Sequence, residues 1–193
     1  MSKVIVALAV GFGVALVVGF GLHAVYAAVG AKGGMEGYAL PIGLGALSAY
    51  LAGNLAGNRR VAAASADEKT QALTFTPPAG QGQLVIYRDG FVGKAVGLNL
   101  ALDDRPFAQI KSPRFTSIYV PAGSHVLVAG FGGLAGPQNK TAHAQVDFQG
   151  GEVLAVKARV AMGALQNSLK LEAVPMSDQL KAQLGRMTMV KPE

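Results

Sequence analysis

Hydrophobic and polar residues divide the chain into two parts. Residues 4–31 contain no Lys, Arg, Asp or Glu, and a second uncharged run covers residues 37–57. A bilayer core needs about 20 apolar residues per helix, so each run is long enough to cross a membrane. Both runs are apolar on every face, which is typical of helices surrounded by lipid. We therefore predict a transmembrane α-hairpin in residues 1–57, with helices at about 4–29 and 38–57.

The first apolar run also has features of a signal sequence. Residues 25–27, Val-Tyr-Ala, show the small-residue pattern that signal peptidases accept. The apolar core is nevertheless about 19 residues or longer, whereas the core of a signal peptide usually has about 7 to 15 residues. An uncleaved helix is therefore the favoured interpretation, with a cleaved signal as its alternative.

Small residues recur at every fourth position of the second run. Gly45, Ala49, Gly53 and Gly57 share one helical stripe, and such stripes allow two helices to approach closely in lipid. We predict that these four residues pack against another helix. That helix is either the first helix of the same chain or a helix of a second copy.

Charges beside the apolar runs predict their orientation. Lys3 precedes the first run, Lys32 lies between the runs, and Arg59 and Arg60 follow the second. Positive charge concentrates on the cytoplasmic side of membrane helices, so two crossings place both chain ends in the cytoplasm. Residues 58–82 are small and polar and contain Pro77-Pro78, which stops a helix. We interpret 58–82 as a juxtamembrane linker.

From residue 83 onward, apolar residues alternate with polar ones, as in strands with one buried face. Asp103-Asp104 and Pro121-Ala122 are typical of turns between them, and Gly150-Gly151 of a tight hairpin turn. Alternation of this kind is typical of antiparallel sheets. We predict an all-β fold for residues 83–175, an antiparallel, Ig-like β-sandwich. Ser177 is expected to cap a short helix within a C-terminal segment, residues 176–193.

Several motifs of this region occur together in one known family. They are Gln-Leu-Val-Ile-Tyr-Arg at 83–88, Phe-Val-Gly at 91–93, Leu-Asp-Asp at 102–104, Tyr-Val-Pro-Ala-Gly-Ser-His at 119–125 and Gly-Glu at 151–152. In this order they resemble the DUF2846 family over residues 81–174. The chain departs from it at Ala122, where the family often has proline, and at Asp104, where it often has glycine. The resemblance implies a β-sandwich of the cell envelope, commonly secreted or lipid-anchored, and no established activity. It therefore places the β domain in the periplasm, opposite to the charge count.

Composition excludes several classes of chemistry. The chain has no cysteine, so disulfides, thiolate metal sites and cysteine nucleophiles are excluded. Half of its net charge of +6 comes from the residues beside the apolar runs. No basic patch is interleaved with aromatics, so nucleic acid is not an expected partner. The histidines lack the spacing of a metal site, and no catalytic motif is present. We expect no enzyme activity, no cofactor and no metal.

The glycine-rich segment 130–137 is the remaining candidate for recognition. Phe131 and Leu134 are apolar residues that we expect to be exposed there, on a loop that touches a partner or the membrane. Together these features predict a non-catalytic β-sandwich module, anchored in a bacterial inner membrane, with a structural or protein-interaction role. Its partners would be the bilayer and either another protein or a further copy of this chain. The alternative is an envelope domain that binds glycan or peptidoglycan, although the absence of Trp argues against an aromatic sugar platform.

Overall fold

The structure, a computed structural model, describes residues 2–133, 136, 140–161 and 168–193. The chain divides into two compact units, Met1–Gly57 and Asn58–Glu193. The first unit is helical, and the second contains two β-sheets and two short helices. The change from helix to strand thus falls where the hydrophobic pattern changes.

Two long helices form the first unit, α1 (Lys3–Val29) and α2 (Glu36–Leu55). The Ser2 hydroxyl accepts a hydrogen bond from the Ile5 amide at the start of α1, and Gly30 ends α1 in the left-handed conformation. Pro41 lies in the second turn of α2. Among the described helices, α1 alone is long and apolar enough to cross a membrane, a property that it shares with signal sequences near an N-terminus.

The second unit begins with helix α3 (Ala66–Ala72) and continues into the sheets. Its strands are β1 (Gln81–Arg88), β2 (Leu98–Leu102), β3 (Arg105–Ile110), β4 (Arg114–Pro121), β5 (Gly123–Phe131), β6 (Ala142–Phe148), β7 (Val153–Ala161), β8 (Ser168–Val174) and β9 (Thr188–Met189), with helix α4 (Asp178–Arg186) before β9. One sheet has the order β8-β7-β1-β4-β9, and the other has the order β3-β2-β5-β6.

The main hydrophobic core lies between the two sheets. Leu84 and Ile86 of β1 meet Leu98, Leu100 and Leu127 of the opposite sheet, and all five side chains are fully buried. Since successive residues of a strand point to opposite faces, the alternation in the sequence identifies the inward positions. The expectation of two β-sheets with a buried apolar face is confirmed.

The pairing of the strands differs from the predicted antiparallel arrangement in two ladders. Strand β1 runs parallel to β7, and β4 runs parallel to β9. Gly150-Gly151, predicted to be a tight hairpin turn, instead lies in the connection from β6 in one sheet to β7 in the other. Alternation predicts which face of a strand is buried, but it carries no information on the direction of the neighbouring strand, so this part of the prediction is wrong.

A third layer covers the outer face of the five-stranded sheet. Val85 and Tyr87 of β1 point away from the main core and form a second cluster with Leu180 and Leu184 of α4 and with Ala72 of α3. Ser177 accepts a hydrogen bond from the Leu180 amide, so the predicted cap and helix are confirmed. Strand β1 is therefore buried on both faces, which explains the uninterrupted apolar run from Leu84 to Tyr87.

The segment predicted to be a linker is packed against the β unit. The Arg59 amide donates to Gln109 Oε1 at 2.7 Å, and the Ala64 amide donates to the Met189 carbonyl at 3.0 Å. Ala72, at the end of α3, is buried in the second cluster. Small, polar composition suggested a juxtamembrane linker outside the β domain, but backbone hydrogen bonds and the packing of Ala72 make this segment part of the β unit.

Candidate functional site

Small residues form the contact between α1 and α2. A Cβ atom added at Gly45 would lie 2.7 Å from the Gly11 carbonyl oxygen and 2.9 Å from the Ala15 Cβ. One added at Gly11 would lie 2.6 Å from the Ala49 Cβ. Two of the predicted stripe residues, Gly45 and Ala49, therefore lie directly against the first helix of the same chain, where any larger side chain would force the helices apart.

Of the other two stripe residues, Gly53 lies in the last turn of α2, whereas Gly57 lies beyond its end at Leu55 and is not part of the helical stripe. Gly53 is buried and Gly57 is half-buried. Beside them, Asn54 is only 6% exposed, and its side-chain amide donates to the Tyr50 carbonyl at 2.9 Å. A polar side chain that bonds to its own helix in this way loses little when water is absent.

The outward faces of the hairpin are apolar. Among the described residues, every exposed large hydrophobic side chain lies in α1, in α2 or at Met35, with two exceptions, Phe91 and Val126. Phe12, Val17 and Phe20 on α1 and Ile42 on α2 each expose more than half of their surface. Large exposed apolar surfaces of this kind are typical of sites that contact another protein or a membrane.

A cleft of about 490 Å³ lies between α1 and α2 toward their connection. Its lining includes His23, Tyr26 and Tyr38 together with Pro41 and small glycines of the connection. The histidine that the sequence places inside the first apolar run therefore faces this cleft and two tyrosines.

Phe131 lies in a different environment from the one predicted. It is the last residue of β5, half-buried against the main core, and not an exposed loop residue. The guanidinium carbon of Arg88 lies 5.3 Å from the centre of its ring, a favourable cation–π geometry. Leu134, the second predicted loop residue, lies outside the described residues.

Arg88 is fully buried at the end of β1, with 1% of its surface exposed. Its Nη1 donates to the Val96 carbonyl at 2.8 Å, and its Nη2 donates to the Val92 and Gly93 carbonyls at 2.8 and 2.7 Å. Burial lowers the pKa of Arg88 to about 10. This value is still well above neutral pH, so the guanidinium is charged. The arginine thus fixes the backbone that connects β1 to β2.

His125 links two turns at one end of the four-stranded sheet. Its Nδ1 lies 2.6 Å from Asp103 Oδ2, and its Nε2 lies 3.0 Å from the Pro121 carbonyl. Asp103 and Asp104 both have positive φ, and they connect β2 to β3 as the predicted two-residue turn. Because both ring nitrogens face acceptors, the doubly protonated imidazolium satisfies both contacts, so this pair holds turns together.

The hydrogen bond between His125 and Asp103 shifts the pKa of both side chains. The hydrogen bond to Asp103 raises the pKa of His125, and the same bond holds the pKa of Asp103 below its ordinary value. Within the described residues, no group of three or more His, Cys, Asp and Glu side chains is placed to hold a metal ion. The geometry of His125 is that of a structural ion pair.

Sequence reasoning missed the role of Arg88 in holding the backbone between β1 and β2. The sequence did contain one signal. Arg88 lies two residues after Ile86 and four after Leu84, so all three side chains lie on the face of β1 that points toward the inter-sheet core. The partners of Arg88 were not readable, since they belong to an irregular segment.

The chain matches no protein-family model and no curated protein. Its resemblance to DUF2846 therefore stays a prediction.

Proposed function

We propose that this protein is a non-catalytic, membrane-anchored interaction module. The helical hairpin lies in the inner membrane of a bacterium, and the β unit stands at the membrane surface and binds a protein partner. The observation that carries the proposal is the apolar outer surface of α1 and α2. In water this surface would drive aggregation, whereas a bilayer covers it at no cost in exposed apolar area.

Both helices have the length that a membrane crossing needs, although α1 alone among the described helices is also apolar enough. At about 1.5 Å per residue, the 27 residues of α1 extend about 40 Å and the 20 residues of α2 about 30 Å. A bilayer hydrocarbon core is about 30 Å thick. The seam at Gly45 also supports a hairpin that inserts as one unit, because it joins the two helices within one chain.

The surface that we assign to the partner is the outer face of the four-stranded sheet. Helices α3 and α4 pack on the other sheet, and no described helix belongs to a cluster on this one. Val126, at 46% exposure, lies there among exposed polar side chains that include His143 and Gln145. An apolar side chain inside a polar rim is the usual composition of an interaction surface.

Two measurements test the proposal. Flotation of the full chain with vesicles, and its resistance to alkaline extraction from membranes, test anchoring; a chain that stays in the soluble fraction contradicts it. A photo-crosslinking residue at Val126 tests the partner in cells, with Gln179 on the exposed side of α4 as the matched control position. We expect a discrete adduct from position 126 and none from 179; equal or no crosslinking at both refutes the assigned surface.

The side of the membrane is tested by a reporter joined after Glu193 through a flexible linker. The linker is needed because the Glu193 amide donates to the Phe107 carbonyl and its carboxylate pairs with Arg59. Two crossings and the flanking charges predict a cytoplasmic β unit. A periplasmic reporter signal would instead favour a single crossing, as the resemblance to DUF2846 implies.

A further inference from the structure

Residues 89–97, which we call the Phe91 loop, connect β1 to β2 and present one apolar side chain to solvent. Phe91 is 87% exposed, more than any other large hydrophobic residue in the described chain. An isolated exposed hydrophobic residue needs no explanation by itself. Here the backbone beneath the ring and the position of the loop in the chain both point to a ligand surface.

Most backbone carbonyls of the Phe91 loop already accept hydrogen bonds, although the loop has no regular structure. Every carbonyl from residue 91 to residue 96 accepts a hydrogen bond. The donors are the Lys94 amide for Phe91, the Val96 amide for Gly93, the Arg88 guanidinium for Val92, Gly93 and Val96, the Ser112 amide for Lys94, and the Asn58 side-chain amide for Ala95. A loop whose carbonyls are already bonded loses less when water around it is replaced by lipid.

The loop is also bound to the first residue of the β unit. Asn58 Nδ2 donates to the Ala95 carbonyl at 3.0 Å, and the Gly97 amide donates to Asn58 Oδ1 at 2.6 Å. Asn58 follows Leu55, the last residue of α2, by three positions. Three residues reach at most about 11 Å, so only a short covalent connection separates the end of α2 from the residue that binds the loop.

Charge near the loop suits a membrane surface. Lys94 and Arg60 are exposed, and both extend long side chains that reach anionic lipid phosphates. The acidic residue of the loop, Asp89, is already paired with Lys157 at 2.9 Å. Positive charge beside an aromatic side chain is the usual composition of a segment that lies at a bilayer interface.

We propose that the Phe91 loop is a membrane-contact element, in which Phe91 enters the headgroup region of the bilayer while Lys94 and Arg60 lie beside lipid phosphates. The inference rests on the proposed membrane anchoring of α1 and α2. It adds a second point of attachment, which holds the β unit against the membrane at one fixed end and leaves the opposite end free for a partner.

The absence of tryptophan from the chain allows a direct test. The full chain carrying Phe91→Trp is reconstituted into vesicles of phosphatidylethanolamine and phosphatidylglycerol, with and without lipids brominated near the headgroup. The matched control is Val126→Trp, since Val126 is the other large hydrophobic residue that is exposed in the described part of the β unit. The Val126 carbonyl accepts a hydrogen bond from the amide of Asp103, the residue that follows β2. At about 3.4 Å per residue of strand, Asp103 lies about 20 Å from Gly97, at the other end of β2.

We expect the Phe91→Trp emission to lie at shorter wavelength in vesicles and to be quenched by the brominated lipids, while Val126→Trp shows neither effect. Water-like, unquenched emission at position 91 in a protein that floats with the vesicles overturns this inference and leaves the anchoring intact. A shift to shorter wavelength without quenching also overturns it, because the ring is then covered by protein. A protein that does not float overturns the anchoring and this inference together.

A second pair of variants guards against misfolding of the tryptophan proteins. The chain has no cysteine, so Phe91→Cys and Val126→Cys each provide a single thiol for a polarity-sensitive dye. We expect the dye to report a less polar environment in vesicles at position 91 only. Equal dye responses at the two positions contradict the proposed contact.

Discussion

Arg88→Met tests whether one buried side chain organises the Phe91 loop. Methionine keeps an unbranched apolar stem that packs in the same space, but it removes the guanidinium. The carbonyls of Val92 and Val96 lose their donor, the Gly93 carbonyl keeps only the Val96 amide, and the ring of Phe131 loses its cation. The perturbation is therefore confined to polar contacts around one position.

The expected loss follows from the number of contacts. A hydrogen bond to a charged group contributes about 1.5 to 3 kcal/mol, so three of them give a gross loss of about 6 kcal/mol. The energy needed to bury the guanidinium, which lowers the pKa of Arg88 to about 10, is recovered and offsets part of this. A buried acceptor left without its donor costs about 1 to 3 kcal/mol, and the Val92 and Val96 carbonyls are left in this state, so we expect a net loss of about 3 kcal/mol.

The assay is urea unfolding of the full chain in mild detergent, with hydrogen–deuterium exchange of the peptides that contain β1 and the Phe91 loop. Arg159→Met is the matched control, because Arg159 lies on β7 with a side chain 66% exposed and makes only a 3.7 Å ion pair with Glu172. Exposed pairs of this kind contribute about 0 to 1 kcal/mol. Arg88→Lys, which keeps the charge without the planar fork, should fall between the parent and Arg88→Met.

If Arg88→Met unfolds at the same urea concentration as Arg159→Met, and the Val96 and Gly97 amides exchange at the parental rate, the guanidinium does not hold the loop. A loss of stability with unchanged exchange in the loop would place the effect of Arg88 in the core around Phe131 instead.

Two further predictions concern the ion pair at His125 and the helix seam. The folded-state pKa of His125 is raised above its ordinary value, so its contribution to stability is fully present below the unfolded-state pKa and is lost as pH rises through the folded-state pKa. Urea unfolding at a series of pH values should show this loss of stability. His125→Asn or Asp103→Asn should abolish the pH dependence. Gly45→Leu places a side chain 2.7 Å from the Gly11 carbonyl oxygen and should lower the thermal stability of the hairpin in detergent, whereas Gly43→Leu, which meets no atom within 4 Å, should not. Equal melting of the two leucine variants would show that the seam does not need small residues.

Local patterns in the sequence predicted the elements themselves. The long uncharged runs predicted two helices, because a helix is determined by residues within a few positions of one another, and the observed α1 and α2 follow them closely. The Asp103-Asp104 turn and the Ser177 cap were predictable for the same reason. The small-residue stripe containing Gly45 was likewise visible as a four-residue repeat, and so was a candidate partner in the glycines of the first helix.

Only the tertiary structure decided the contacts between residues far apart in the sequence. The parallel pairing of β1 with β7 joins residues about 70 positions apart (Gln83 with Val153), and no local period records such a partner. The half-buried position of Phe131 and the burial of Arg88 depend on a loop whose carbonyls converge on one guanidinium. A charged residue in a strand predicts a water-facing position unless the fold supplies its acceptors, and here the fold supplies them from the backbone of the Phe91 loop.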